Sequence, residues 1–284
     1  MSVLVLGTFD GVHIAHRQLI KEAKKTGKKV VVCAFSTPFS RAKVLTDACE
    51  KEKILKELGA DEVFIQEPEN VKELSPEEYI KILVEKFNPK FVVAGFDHHF
   101  GKNAQGNLMT LNFLGKKYGF TLITVPPVKY DGVLVSSSNI RLLLQKGEIE
   151  KANLLLDRFY SLKGTVVKGK QIGSDLGFPT ANIKCADNLL IPTPAVYATF
   201  VKLNNKLYKG MTNIGFNETV SENNSLTVET HILGFDGDIY GKNIEILFLK
   251  KVRDNKKFES LDDLKNQLSD DALLINAYID TLKK

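Results

Sequence analysis

The chain has 284 residues, of which 43% are hydrophobic and 26% charged, with a formal net charge of +5. That length accommodates one large domain or two modest ones, and the mild positive balance suits small anionic substrates without the basic excess of a nucleic-acid binder. No apolar run approaches the roughly 20 residues of a membrane helix, the start lacks the charged and apolar segments of a secretion signal, and Cys33, Cys49 and Cys185 show no paired spacing. A cytoplasmic protein with free thiols is therefore expected, off the membrane, with small molecules as partners and weak self-association left open.

In chain order, residues 3–6 read as a buried strand and residues 17–26 as a helix stopped by Gly27. Residues 29–35 are a β-branched strand. A helix starts at Thr46 or Asp47 and stops at Gly59, and residues 62–65 form a third strand. Ser75 as N-cap, Pro76 at the first helical position and Glu78 at the third predict a helix to about Phe87. Residues 91–94 are a strand, 107–118 a helix and 121–125 a strand. Strands alternating with helices through short connections imply a doubly wound parallel sheet. Helices over 138–146 and 148–158 close this half.

Polar and glycine-bearing clusters follow the strands. The first holds Gly7, Phe9, Asp10, Gly11, His13 and His16 at a strand-to-helix turn. Its glycines allow close backbone approach, the helix N-terminus offers N–H groups to phosphate, and the two histidines share one face of the first turn. Residues 36–39, 95–101 and 136–141 are the others. In an open parallel sheet the carboxyl ends of the strands share one edge, so all four clusters are expected to converge on one crevice.

After Phe159 the texture changes to short β-rich runs at 162–167, 196–203, 207–214, 226–233 and 243–249, separated by turn residues. These predict an antiparallel barrel or sandwich, followed by one or two helices over 260–282. The boundary is expected between 157 and 158, giving domains 1–157 and 158–284. Residues 164–182 form a glycine-rich stretch able to wrap phosphates, though not a Walker loop. Thr180 and Asn182 supply neutral oxygens of the kind that complete a Mg²⁺ shell. Glu229 and His231 share one side of a strand, where a carboxylate can deprotonate an attacking hydroxyl. Residues 235–241 read as a hairpin turn.

Taken together the two halves resemble the prokaryotic bifunctional riboflavin kinase/FAD synthetase family over essentially the whole chain. The first half is similar to the FMN adenylyltransferase module through residues 7–16, 94–101 and 135–141. The second is similar to the six-stranded riboflavin kinase barrel through residues 164–182, 229–231 and 235–241. The resemblance implies phosphorylation of riboflavin to FMN and adenylylation of FMN to FAD, with ATP as co-substrate and Mg²⁺ as cofactor. In the kinase it implies Glu229 as catalytic base and Thr180 and Asn182 as metal ligands. Gly169, Lys170, Gly173, Ser174, Gly177 and Pro179 would cover the nucleotide. In the adenylyltransferase it implies His13 and His16 at the reacting phosphates, and Gly7, Phe9, Asp10, Gly11, Ser136, Ser137 and Arg141 around ATP. Asp97, Phe100 and Phe39 would lie towards the flavin.

Several positions depart from the family pattern. Ala15 stands where a glycine separates the histidines, Thr37, Pro38 and Phe39 replace Pro-His-Pro, and His98 replaces a phenylalanine. In the run from Asn213 to Val220, Glu218 stands before Thr219 where the pattern Asn-Ile-Gly-x-x-Pro-Thr-Phe has proline, and Val220 stands where it has phenylalanine. Two alternatives remain open at this point: retention of the kinase activity alone, or a non-catalytic flavin- or nucleotide-sensing protein.

Overall fold

The computed structural model describes residues 1–40, 42–169, 176–216 and 226–282, which divide into two compact units, 1–139 and 140–284. The first is a five-stranded parallel sheet of β1 (Ser2–Leu6), β2 (Lys29–Phe35), β3 (Glu62–Gln66), β4 (Pro89–Gly95) and β5 (Thr121–Val125), in the order β3-β2-β1-β4-β5. Every residue of β1 is buried, as a central strand covered on both faces requires. Val3 and Val5 pack with Leu19, Ile20 and Ala23 of α1 (Ile14–Lys24) and with Ile54 and Leu55 of α2 (Ala48–Glu57). Leu4 and Leu6 point the other way, to Tyr79, Ile80 and Leu83 of α4 (Pro76–Phe87) and Leu111 and Leu114 of α5 (Leu108–Tyr118). The sheet is thus doubly wound, with alternate residues feeding opposite layers.

Local chemistry sets the ends of these helices. Asp47 caps α2 by accepting from Glu50 N–H at 2.8 Å. Ser75 and Glu78 close a capping box on α4, and Asn107 accepts from the N–H groups of Met109 and Thr110. Gly27, Gly59 and Gly119 all adopt positive φ at helix ends. A short α3 (Pro68–Val71) and the two-residue strands β6 (Lys129–Tyr130) and β7 (Val133–Leu134) add to what periodicity predicts.

Helices α6 (Ser137–Lys146) and α7 (Ile149–Leu156) lead into the second unit. The division at 139 precedes the change of sequence texture because α7 packs on the barrel: Asn153 Nδ2 donates to Phe248 O and its Oδ1 accepts from Tyr160 N–H. The barrel is closed by β8 (Tyr160–Val167), β9 (Thr180–Cys185), β10 (Ala195–Leu203), β11 (Lys206–Phe216), β12 (Leu226–Ile232) and β13 (Asn243–Arg253), in the order β10-β11-β12-β9-β8-β13. All neighbouring strands in this order pair antiparallel. Residues 235–241 are not a hairpin turn. They connect β12 to β13, which are not neighbours in the barrel.

Inside, Thr199, Thr212 and Thr230 are wholly buried and joined hydroxyl to hydroxyl at 2.8 and 2.9 Å. Outside, Val196, Ala198 and Met211 receive Ile275 and Ile279 of one continuous helix, α8 (Leu261–Thr281). Buried Asp271 of α8 pairs with Arg253 of β13, fixing the helix in place.

Candidate active sites

In the first unit the strand order reverses between β1 and β4, and a ligand crevice belongs at that point. A cavity of about 400 Å³ lies there, lined by the ends of β1, β4 and β5 and by the starts of α1 and α6. Two helix N-termini therefore open on one space. His13 is the N-cap residue of α1, and Ser136 Oγ accepts from Asn139 N–H at 3.2 Å in the first turn of α6. Both ends carry partial positive charge and suit phosphate oxygens.

The turn entering α1 is shaped by its own sequence. Phe9 and Val12 adopt φ of 55° and 38°, and Gly11 one of 81°. Left-handed backbone at two side-chain-bearing residues needs support from its surroundings. That support is visible: Asp10 Oδ1 accepts from Leu45 N–H at 2.9 Å, Gly11 N–H donates to Thr46 Oγ1 at 3.2 Å, and Ser137 Oγ donates to Asp10 O at 2.8 Å. The His13 and His16 rings stack 3.7 Å apart, with Phe9 4.8 Å from His16. His16 Nδ1 accepts from His13 N–H at 3.3 Å, so the neutral ring carries its proton on Nε2.

The site residues expected from sequence separate into two groups here. Gly7, His13, His16, Asp97, Ser136 and Ser137 line the cavity. Phe9, Asp10 and Gly11 do not; they lie buried behind it and brace the turn. Phe100 belongs to the core under α4 and α5, and Phe39 is exposed with its ring against Phe35. Residues 36–39 thus fail to join the other clusters, because β2 lies on the far side of β1 from β4. Val125 at the end of β5 and residues 126–128 after it contribute to the lining instead. Arg141 lies one turn beyond Ser137 on α6 and falls in the second unit.

One further residue escaped the sequence reading. Lys51 is wholly buried, and burial lowers its ammonium to about 8. Its place in the apolar phase of α2, three and four residues before Ile54 and Leu55, was the available signal. His98 stacks on Phe100, and its buried Nε2 has no hydrogen-bond partner among the described residues. Burial and neighbouring His99 push its imidazole down to about 4, so it is neutral at ordinary pH.

In the barrel, strand parity sorts the residues. Ala181, Ile183, Val228, Thr230 and Ile232 are buried, while Thr180, Asn182, Glu229 and His231 occupy the alternate, outward positions. Glu229 pairs directly with Asn182 and His231 with Thr180. On its other side Glu229 faces Asn213 of β11. Gly169, just after β8, lies so close to this patch that a Cβ there would collide with the Asn182 amide. His231 Nδ1 lies 2.8 Å from Pro179 O, and its ring meets Phe178 edge-on at 5.3 Å. A cavity of about 300 Å³ adjoins Pro179 and Thr180, walled by Val166, Ile232, Ile239 and residues 235–240. Gly177 adopts a φ of 85° just before Pro179. Lys170, Gly173 and Ser174, and with them Asn217, Glu218 and Thr219, lie outside the described residues.

A doubly wound sheet offering helix N-termini to phosphates, followed by a barrel with a carboxylate among neutral oxygens, defines a two-centre, nucleotide-using transferase. Residues 1–139 match the family model for FAD synthetase and residues 156–279 that for riboflavin kinase. Bifunctional riboflavin kinase/FMN adenylyltransferases are similar throughout. That of Buchnera aphidicola from Acyrthosiphon pisum is 35% identical, covering 99% of this chain and 95% of the relative, and that of Bacillus subtilis is 32% identical, covering 100% and 94%. The chain belongs to the bifunctional riboflavin kinase/FMN adenylyltransferase family. It is an enzyme that phosphorylates riboflavin to FMN and adenylylates FMN to FAD. A crystal structure of a protein described as a macrolide-efflux protein from Streptococcus pneumoniae superposes with a TM-score of 0.87 at 30% identity, covering 97% of this chain and 93% of that one. Among the described residues no helix is long and apolar enough to cross a membrane.

Proposed function

We propose that adenylyl transfer occurs in the cavity at the starts of α1 and α6, and phosphoryl transfer on the outward face of β9 and β12. In the first reaction an FMN phosphate oxygen bonds to the α-phosphorus of ATP as the bond to the β-phosphate oxygen breaks, releasing pyrophosphate. His13 and His16 stabilise the charge spreading over the α-phosphate oxygens. Ser136, Ser137 and Arg141 hold the remaining phosphates, with the backbone at Gly7 allowing close approach, and Asp97 faces the flavin. This is catalysis by positioning and electrostatics.

In the second reaction Glu229 takes the proton of the ribityl 5′-hydroxyl as its oxygen bonds to the γ-phosphorus and ADP leaves. Thr180 and Asn182 hold the metal–nucleotide complex, and the 300 Å³ cavity with its apolar and aromatic walls takes the purine. Among the described residues no cluster of three His, Cys, Asp or Glu side chains could hold a metal. Neutral side-chain oxygens completed by substrate phosphates fit Mg²⁺, which keeps much of its shell from such ligands. Bound there, Mg²⁺ would neutralise charge on the ATP phosphates. Three free thiols, Cys33, Cys49 and Cys185, accord with a cytoplasmic setting.

The pairing of Glu229 with Asn182 beside the Thr180 cavity carries the kinase assignment. The test is a separation of flavins formed from riboflavin, ATP and Mg²⁺ by the purified protein and two variants. Glu229→Gln should lose FMN formation by roughly 100-fold or more yet still convert supplied FMN to FAD. His13→Ala should show the reverse. FAD formation undiminished in the histidine variant, or FMN formation undiminished in the glutamine variant, refutes the corresponding assignment.

A further inference from the structure

A lysine with no exposed surface is costly unless its ammonium is fully engaged. Lys51 meets that condition through backbone oxygens. An ammonium has three donors, and three backbone carbonyls stand within reach: Phe35 O, Ser36 O at 3.3 Å and Thr8 O at 3.4 Å. Phe35 ends β2, Ser36 follows it, and Thr8 opens the turn into α1 while also lining the 400 Å³ cavity. The side chain therefore reaches from α2 across two strand ends and ties the turn to the sheet, immediately before Phe9 with its positive φ. Around it stand the carboxylates of Asp10 from that turn, Asp47 from the start of α2 and Glu67 from the connection before α3; their fields favour the cation, while burial opposes it.

We propose that Lys51 is a positioning residue for FMN adenylylation: it fixes the turn that carries His13 and His16 and sets a positive charge behind the phosphate seat. The proposal rests on the reading that this cavity is the adenylyl-transfer site. Its sign with pH follows from the charge. The cation is present below about pH 8 and is lost above it.

The decisive measurement is the pH profile of kcat/KM for FAD formation from FMN and ATP, in the full chain and in Lys51→Met, which keeps length and apolar volume but removes donors and charge. The wild type should lose activity as pH rises through about 8. Lys51→Met should fall by at least about tenfold at neutral pH, as a misplaced catalytic turn does, and should lack that alkaline limb. Its riboflavin kinase activity should be unchanged. Unaltered FAD formation in the variant overturns the proposal, and so does a lowered rate with the alkaline limb intact, which would mark a packing role only. Should the variant fail to fold, a wild-type profile flat across this range would by itself overturn it. His13→Ala separates the two readings: if it leaves FAD formation intact, the site assignment has failed and not the role of Lys51.

Discussion

Gly169 and Asn182 touch so closely that the missing side chain of one makes room for the amide of the other. The contact joins the start of the glycine-rich stretch after β8 to the outward residue of β9 that faces Glu229. Backbone freedom is not the reason for glycine at this position; space is.

Gly169→Ala should therefore displace the Asn182 amide or lift the chain at Gly169. On the proposed assignment the expected result is an increase of roughly tenfold in KM for ATP in FMN formation, because a tilted Asn182 would loosen the nucleotide without removing Glu229. FAD formation from supplied FMN should be unaffected. Steady-state kinetics of both half-reactions in one preparation check this, and an unchanged KM for ATP would show that Asn182 has no part in binding it.

His231 offers a second test, in which donor geometry can be separated from bulk. Its Nδ1 holds the carbonyl of Pro179 at 2.8 Å, just where β9 begins. Asparagine can place an N–H near the Nδ1 position, whereas phenylalanine keeps the ring packing against Phe178 and offers no donor. His231→Asn should retain most kinase activity, while His231→Phe should lose about tenfold, mainly in KM. A loss in His231→Asn with His231→Phe unaffected would point to ring packing as the feature that matters.

His98 carries a stability prediction with a defined sign. Its folded-state imidazole lies at about 4 against an ordinary 6.5, so the unfolded chain binds the proton first. The contribution of this residue is constant above the ordinary value, and stability is lost as pH falls from there to about 4, by about 1.4 kcal/mol per pH unit. His98→Phe keeps a ring to stack on Phe100, removes the unsatisfied Nε2 and should raise stability by about 1–3 kcal/mol at neutral pH. Thermal unfolding at pH values on either side of the transition checks it; an equal acid sensitivity in both proteins would exclude His98 as its source.

Much of the first unit was legible because its signals are local. Residues 29–35 and 121–125 are strands as predicted, and the caps at Asp47, Ser75 and Asn107 are formed by the residues whose side chains can reach the first N–H groups. The histidine pair could be placed because a strand followed at once by a helix leaves little freedom between them. What escaped depends on tertiary order. From sequence β9 shows only as part of a glycine-rich stretch, since its outward residues, Thr180, Asn182 and Lys184, are polar and only Ala181 and Ile183 are buried. Residues 235–241 look locally like a hairpin turn, and only the barrel order shows that they are a connection between separated strands. Phe100 was expected beside the flavin, but the core under α4 and α5 claims it. Lys51 is charged, and charge normally signals solvent; the apolar phase of α2 was the weaker, correct clue.

The threonine chain within the barrel has a consequence for chemistry on the other side of the same strand. Neighbouring residues point to opposite faces, so a slip of β12 by a single place would expose Thr230 and swing Glu229 into the lumen. The hydroxyl of Thr212 would then confront a carboxylate instead of its partner Thr230. Three buried alcohols thus act as a parity lock, penalising every alignment in which the proposed kinase carboxylate faces the wrong way.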